Sequence, residues 1–359
     1  MDPANVLLET IRTYAEHSHR EVHRVHRNLT GLSDDDQASL TWKAEDQFQK
    51  MKEAVGANLE FLGSIGNLIR EVQASGSLPG LDGKPSCMPQ GSKAMQNLLQ
   101  MFVREWSSDG LEERRVCFDK LLGSLDSHLQ PQLDQAKVSG APPPKVLCPG
   151  VQLGRLFFEV LARGYATEAC ESSPLFFFGG EFVRKHCTQH GARRIQPFVL
   201  QTCNRFRAED HIRVVAIPDV DIAEGTLPPV RFGDFVRLYD TANARGSYDA
   251  MLTAFALDTS SNIFRYVRTA AHVIRPGGLW ANFGPLSYDA DHDEAHGNGV
   301  ELSWEELRYA VSHFFDIQDQ AFVSAFYASN AESMMQIQYS CIFFKAVRNN
   351  KPSPGIGGT

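Results

Sequence analysis

One turn constrains the fold of this chain more than any other stretch: Pro149-Gly150-Val151-Gln152-Leu153-Gly154-Arg155. It follows an apolar run at residues 146–148 and opens a helical pattern at residues 156–161. A strand that passes through glycine directly into a helix leaves backbone N–H groups at the helix N-terminus, where the polar end of a nucleotide-like ligand can bind. The next predicted strand ends near Glu171, 21 residues beyond Gly150. At that spacing a carboxylate can accept hydrogen bonds from ribose hydroxyls, so the turn predicts a nucleotide-type ligand.

A second turn narrows the choice of nucleotide. Arg275-Pro276-Gly277-Gly278 lies between an amphipathic helical stretch at residues 262–273 and an apolar strand at residues 279–283. This order of helix, basic turn and strand resembles the centre of class I S-adenosylmethionine-dependent methyltransferases. The chain has no G-x-x-x-x-G-K-[ST] loop, so Asp293-Glu294-Ala295-His296 is a chance echo of a helicase motif.

Composition excludes several classes of protein. The chain has 359 residues, of which 43% are hydrophobic and 22% charged, which is typical of a globular protein with one α/β domain and an accessory one. A net charge of −8 argues against nonspecific binding of nucleic acid, so no nucleic-acid partner is expected. No apolar window reaches 18 residues, and Met1-Asp2-Pro3 does not open a signal peptide. We expect no membrane partner and a cytoplasmic location, with the nucleus as a second location.

The pattern of apolar residues changes near residue 140. Residues 1–140 show helical periodicity and predict an N-terminal helical domain. After Gly140-Ala141-Pro142-Pro143-Pro144, strands and helices alternate to residue 350, which predicts a largely parallel, doubly wound, Rossmann-like α/β sheet. Residues 351–359 are rich in glycine and proline and are expected to form a flexible tail.

Several segments, in order and with matching spacing, resemble the carnosine N-methyltransferase family. Members of that family transfer a methyl group to an imidazole nitrogen. The resemblance covers roughly residues 10 to 348 and therefore includes the helical part. Its segments are residues 14–27, 102–107, 146–156, 217–221, 233–235, 257–263, 275–278, 282–286 and 300–304.

The resemblance implies S-adenosylmethionine as cofactor, S-adenosylhomocysteine as product and a set of residues that bind them. An arginine side chain offers a fork of donors that suits the cofactor's carboxylate. The implied positions are Arg104 for that carboxylate, Gly150 and Gly154 for the methionine end, Glu171 for the ribose, and Asp234 and Phe235 for the adenine. The alternatives are a solvated helix residue for Arg104, a surface position for Glu171 and simple core packing for Phe235.

Asp258 is the candidate catalytic and substrate-binding residue. It follows an apolar strand, at the carboxyl end where open α/β sheets bind ligands, and it matches the family's substrate-binding aspartate. A carboxylate beside an imidazole N–H fixes the tautomer and stabilises the positive charge that develops when the other nitrogen attacks. An N-cap of the next helix is the alternative. Tyr339 matches a substrate-contacting tyrosine, with core packing of a late strand as its alternative.

The chain departs from the family at three positions. Gln152 stands where the family has a glycine, so the backbone is expected to approach the cofactor less closely. Asp289 stands where the family has a substrate-contacting histidine, and Ile337 replaces a tyrosine. A carboxylate in the pocket favours an acceptor with a cationic or donor group, so a small molecule or peptide other than carnosine is plausible.

Other interpretations stay open at this point. His292 and His296 share a helical face if that segment is helical, but the residue after His292 is an aspartate, so an acidic loop is favoured over a metal site. Methyl transfer from a sulfonium needs no metal. The alternatives to an imidazole-directed N-methyltransferase are a catalytically idle binding protein and an O- or S-methyltransferase of a biosynthetic pathway. The expected partner is a methyl acceptor, with a second copy of the chain left open.

Overall fold

The N-terminal part consists of five helices in the computed structural model, which describes residues 3–76, 91–260, 262–288 and 300–352. The first and third helices pack against each other, and the first also contacts the fourth. Left-handed glycines end two of the helices, Gly76 at φ 61° and Gly140 at φ 70°. The helices are α1 (Pro3–Thr30), α2 (Asp34–Ala38), α3 (Ala44–Ser75), α4 (Ser92–Trp106) and α5 (Leu111–Ser139).

A seven-stranded sheet with helices on both faces forms the rest of the fold. Its order is β5-β2-β1-β6-β7-β9-β8, and within it only β9 runs against its neighbours. The predicted doubly wound, largely parallel sheet is therefore confirmed. The strands are β1 (Lys145–Pro149), β2 (Ala166–Glu171), β5 (Arg231–Phe232), β6 (Tyr248–Ala254), β7 (Ile274–Gly284), β8 (Phe315–Phe326) and β9 (Gln338–Arg348); β3 (Arg193–Ile195) and β4 (Val215–Ile217) form a separate ladder.

The helices that follow the strands begin at residues suited to cap them. Asn262 caps α9 by accepting a hydrogen bond from the Arg265 backbone N–H at 3.0 Å. Ser303 and Glu306 form a capping box at the start of α10. The helices of this part are α6 (Arg155–Ala162), α7 (Pro174–His186), α8 (Phe235–Tyr239), α9 (Ile263–Val273) and α10 (Trp304–Ser312).

One hydrophobic cluster joins the helical part to the sheet. It contains side chains of α1, α3, α4 and α5 together with residues of β1, β6 and β7. Trp106 at the end of α4 donates its indole N–H to the backbone carbonyl of Leu153 at 3.0 Å, which fixes α4 against the glycine turn. The division of the chain into two domains stays a prediction. The helices nevertheless form one wall of the region around the turn.

Three details of the sheet differ from the sequence prediction. β8 was missed because it is an edge strand with mostly polar or half-exposed residues, and its apolar alternation is weak. β4 lies within the stretch where alternating strands and helices predict one sheet, but it pairs with β3 in a separate ladder. The Arg275-Pro276-Gly277-Gly278 turn lies inside β7: Ile274 pairs with Tyr248, and pairing resumes at Leu279 opposite Ala250. Within the described ranges, no helix is both long and apolar enough to cross a bilayer.

Candidate functional site

The glycine turn between β1 and α6 adopts the backbone conformations that its glycines allow. Gly150 has φ 64°, and a Cβ at this position would lie 2.7 Å from the Cβ of Ala256. Gly154 has φ 90°, caps α6 and faces open space. Both positions favour glycine because L-residues rarely adopt such φ angles. The turn thus brings backbone close to β6 and opens at the N-terminus of α6.

Glu171 ends β2 beside this turn, as predicted. Its Oε2 accepts a hydrogen bond from the Gln152 backbone N–H at 2.8 Å, and its Oε1 accepts one from the Ser173 backbone N–H at 2.7 Å. The residue is 5% exposed, so the surface-position alternative is wrong. Burial raises the pKa of Glu171 to about 7, although the backbone N–H donors oppose this shift. The carboxyl group therefore titrates near neutral pH.

Arg104 lies on the last turn of α4 and points into the interior. It is 2% exposed, so the solvated-helix alternative is wrong. Its Nη1 donates to Glu105 Oε1 at 3.1 Å and to Gln152 Oε1 at 3.2 Å. The guanidinium carbon lies 5.0 Å from the ring centroid of Phe255 and 4.9 Å from that of Tyr327. A helix of the N-terminal part thus delivers a buried cation to the glycine turn.

The other edge of the Arg104 guanidinium is unsatisfied. Its Nε and Nη2 atoms are buried and have no hydrogen-bond partner among the described residues. Glu113 Oε2 lies 3.6 Å from Nε, but the Glu113 carboxylate already accepts hydrogen bonds from the backbone N–H groups of Ala328 and Ser329. Buried donors without hydrogen-bond partners are costly, and a guanidinium that retains such donors suits a carboxylate ligand.

Glu105 connects the helical part to the start of α6. Its Oε2 accepts from the Arg155 backbone N–H at 3.2 Å, and Arg155 Nη1 donates to the Glu105 carbonyl at 3.1 Å. Arg155 also pairs with Asp219 at 2.5 Å, and Arg114 pairs with the same carboxylate. Burial raises the pKa of Glu105, while Arg104 lowers it. The network holds α4 and α6 in a fixed relation around the turn.

Three predicted carboxylates lie near Tyr266 of α9. This phenol is 4% exposed, and its hydroxyl has no hydrogen-bond partner within the described part of the chain. Burial raises its pKa far above the ordinary value, and the nearby charges of Asp234, Asp258 and Glu171 raise it further. The carboxyl ends of β2, β5 and β6 therefore bring these side chains to one edge of the sheet.

Asp234 and Phe235 lie where β5 passes into α8. Asp234 caps that helix, because its Oδ1 accepts from the Arg237 backbone N–H at 2.9 Å. Phe235 is buried, with its ring centroid 4.6 Å from that of Tyr266. Both side chains therefore have structural contacts of their own. Their roles toward an adenine stay predictions.

Asp258 lies four residues beyond the end of β6, in a short 3-10 turn at Leu257–Thr259. It is 7% exposed, and its Oδ2 accepts from the Ser287 backbone N–H at 3.0 Å and from the Ser287 hydroxyl at 2.9 Å. The N-cap alternative is wrong, because Asn262 caps α9. Asp258 instead joins the end of β6 to the segment after β7.

Tyr339 lies on β9 opposite Ala325 of β8 and packs, half-buried, against the main core cluster. It shares a strand face with Cys341. The pKa of Cys341 rises to about 12 through burial and through the charge of Asp258. The role of Tyr339 toward an acceptor stays a prediction. Ile337 is 64% exposed, and Asp289, with His292 and His296, lies outside the described residues.

Two contacts were missed in the sequence analysis. Gln152 was noted only as a departure, yet its Nε2 also donates to the Tyr327 hydroxyl at 3.1 Å. Tyr327 follows β8 and stacks on Phe255 at 4.6 Å between ring centroids. The sequence gave no signal for Tyr327, because β8 itself was not predicted. In the described ranges no cluster of three or more His, Cys, Asp or Glu side chains could hold a metal ion.

The strand order, the single reversed strand and the glycine turn at the carboxyl edge are those of the class I methyltransferase fold. A sequence profile described as carnosine N-methyltransferase matches residues 85–350. The chain belongs to the carnosine N-methyltransferase family.

Two relatives of this chain, from distant organisms, are named carnosine N-methyltransferases. The carnosine N-methyltransferase of Mus musculus is 30% identical over 350 residues, which cover 94% of this chain and 84% of that protein. That of Dictyostelium discoideum is 27% identical over 369 residues, covering 97% of this chain and 76% of that protein. Among solved structures, magnesium protoporphyrin IX methyltransferase from Synechocystis PCC 6803 with bound SAM has a TM-score of 0.35 at 11% identity, covering 71% of this chain and 97% of that chain.

Proposed function

We propose that this protein is an S-adenosylmethionine-dependent N-methyltransferase that acts on an imidazole or related nitrogen of a small molecule or peptide. The observation that carries the proposal is the edge of the sheet where Arg104 presents unpaired donors beside the glycine turn. Glu171, Asp234 and Asp258 lie at the same edge. A zwitterionic nucleoside requires a cation for its carboxylate and acceptors for its hydroxyl groups. An imidazole requires an acceptor for its N–H group, and these carboxylates can serve as acceptors for both ligands.

The side chains fit such a cofactor residue by residue. Arg104 would bind the carboxylate end-on, through Nη2, which has no hydrogen-bond partner among the described residues, and through Nη1. Glu171 would accept hydrogen bonds from the ribose hydroxyls, and Gly150 and Gly154 keep the backbone of the turn accessible. Asp234, whose Oδ1 caps α8, would use its second oxygen for the adenine amino group. The bound cofactor supplies an electrophilic methyl group on a sulfonium.

Asp258 is the residue we assign to the acceptor. Its carboxylate is buried at the carboxyl edge, and Ser287 donates two hydrogen bonds that hold it in place. A fixed carboxylate can accept the N–H of an imidazole, which leaves the opposite nitrogen unprotonated and able to attack. It also stabilises the imidazolium charge that then develops. Tyr339 would contact the acceptor from β9.

The acceptor is argued from the family and from one departure. The relatives are named carnosine N-methyltransferases, which favours an imidazole nitrogen as the methylated atom. Asp289 replaces a histidine of the family pattern, and a carboxylate there favours an acceptor with a cationic or donor group. We therefore propose a carnosine-like or other histidine-derived acceptor, with carnosine itself a poor substrate.

Calorimetric titration with S-adenosylhomocysteine tests the cofactor assignment. We expect one molecule to bind per chain and Glu171→Ala to weaken binding, because a lost hydrogen bond to a charged acceptor costs about 1.5–3 kcal/mol. Glu224→Ala, which removes an exposed loop carboxylate, is the matched control and should bind like the wild type. Unchanged affinity in Glu171→Ala would remove Glu171 from the site. Absence of binding would favour an idle descendant that uses the fold to bind a partner.

A further inference from the structure

We infer that Gln152 is an internal competitor for Arg104, so that its side-chain amide must move aside before a ligand carboxylate can bind. This inference rests on the proposed function and concerns how tightly this chain holds its cofactor. It makes the amide of Gln152 a specificity-determining group that the family's glycine lacks.

The backbone at Gln152 directs its side chain into the site. Its φ is 56°, a left-handed conformation that is uncommon for residues other than glycine. The backbone N–H is held by Glu171 at 2.8 Å, so the turn keeps this conformation. The residue is 7% exposed. Its side chain therefore points away from solvent, toward α4 and the end of β8.

The amide of Gln152 makes two hydrogen bonds there. Its Oε1 accepts from Arg104 Nη1 at 3.2 Å, and its Nε2 donates to the Tyr327 hydroxyl at 3.1 Å. The amide oxygen thus takes from Arg104 the kind of bond that a ligand carboxylate takes. Because Gln152 belongs to the glycine turn, its side chain spans the distance from the turn to the Arg104 guanidinium, where the ligand carboxylate would bind.

The remaining donors of Arg104 show that the amide is an incomplete substitute. Nε and Nη2 stay buried without hydrogen-bond partners among the described residues, and Nη1 donates to both Glu105 and Gln152. A carboxylate has two oxygens and a negative charge to offer a guanidinium, whereas the neutral amide of Gln152 accepts from one nitrogen of Arg104, Nη1. The ligand therefore gains more from Arg104 than it displaces, and Gln152 weakens binding without preventing it.

Substitutions at Gln152 separate competition from support. Gln152→Gly removes the amide and suits the positive φ, so affinity for S-adenosylhomocysteine should rise about fivefold to thirtyfold, the equivalent of one or two hydrogen bonds of about 1 kcal/mol each. Gln152→Asn keeps an amide and tolerates the positive φ, but it is too short to span Arg104 and Tyr327. It should bind like Gln152→Gly. Gln152→Glu should bind more weakly than the wild type, because a carboxylate competes more strongly for a guanidinium.

The test is calorimetric titration of these variants with two ligands, S-adenosylhomocysteine and 5′-methylthioadenosine, which lacks the amino-acid end. For S-adenosylhomocysteine we expect Gln152→Gly and Gln152→Asn to bind more tightly than the wild type, and Gln152→Glu to bind more weakly. For 5′-methylthioadenosine we expect all four proteins to have equal affinities. Equal or weaker binding of S-adenosylhomocysteine by Gln152→Gly would overturn the inference and make Gln152 a support for Arg104. The proposed function would stand in that case. Binding by none of the four proteins would overturn the proposed function as well.

Discussion

Replacement of Asp258 by asparagine tests the assignment of the acceptor site. Asparagine has nearly the same shape as aspartate but no charge, and its carbonyl oxygen can still accept the hydrogen bond from the Ser287 backbone N–H. The variant can neither accept an imidazole N–H with a full negative charge nor balance the imidazolium that forms. Groups of this kind contribute about 10²–10⁴ in rate, and we expect the rate of methyl transfer to fall by that factor.

The same substitution should change stability little. A hydrogen bond to a charged acceptor is worth about 1 kcal/mol more than one to a neutral acceptor, so the loss at Ser287 should be of that size. For a chain of this length that loss lowers the melting temperature by about 2 °C. Asn262, not Asp258, caps α9, so the helix keeps its N-cap in the variant.

The assay is single-turnover methyl transfer, with cofactor affinity and melting temperature measured on the same sample. Asn262→Ala is the control, because loss of an N-cap costs about 1 kcal/mol of stability without removing a charge from the site. It should transfer methyl groups at a near wild-type rate. A wild-type rate in a stable Asp258→Asn variant would refute the catalytic role. A loss of cofactor affinity as large as the loss of rate would show that Asp258 acts through the cofactor site.

Three further predictions concern other residues of the site. Burial raises the pKa of Glu171 to about 7, and ribose hydroxyls donate hydrogen bonds best to the ionised carboxylate. The affinity for adenosine, measured by calorimetry, should therefore rise about tenfold between about pH 6 and pH 8. Glu171→Gln should abolish that dependence, and a flat wild-type profile would contradict it. Asp289→His should shift activity toward carnosine in a mass-spectrometric acceptor screen, since buried polar groups without partners cost about 1–3 kcal/mol. If the wild type turns carnosine over efficiently and the substitution does not alter that rate, this position does not set specificity. Gly150→Ala should lower the melting temperature more than Gly154→Ala, because only at Gly150 would the new Cβ meet another atom, the Cβ of Ala256 at 2.7 Å; equal losses would mean that φ alone decides.

Much of the fold could be predicted because local sequence determines it. The turn at Gly150, the strand end at Glu171 and the alternation of apolar runs all depend on backbone preferences and burial that neighbouring residues reveal. The edge strand β8 escaped prediction because its residues are largely polar or half-exposed. Its place in the sheet is set by pairing with β9 rather than by its own pattern.

The site was predicted less completely, because its contacts join distant parts of the chain. The resemblance to the family gave Arg104, but the hydrogen bond from Arg104 to Gln152 spans 48 positions and that from Gln152 to Tyr327 spans 175. No local pattern encodes such contacts. The alternative that Asp258 caps the next helix was wrong for a similar reason. Aspartate and asparagine both cap helices well, and only the structure shows that Asn262 is the residue that caps α9.

Methyl transfer to an imidazole nitrogen can be measured by incubating the protein with S-adenosylmethionine that carries a deuterated methyl group. The acceptors should include carnosine and a panel of imidazole-bearing amines, amino acids and peptides, and fragmentation mass spectrometry should locate the label. We expect the label on a ring nitrogen. We also expect an acceptor that has a cationic or donor group to be labelled faster than carnosine. Label found only on oxygen or sulfur, or cofactor binding without transfer to any imidazole, would contradict it.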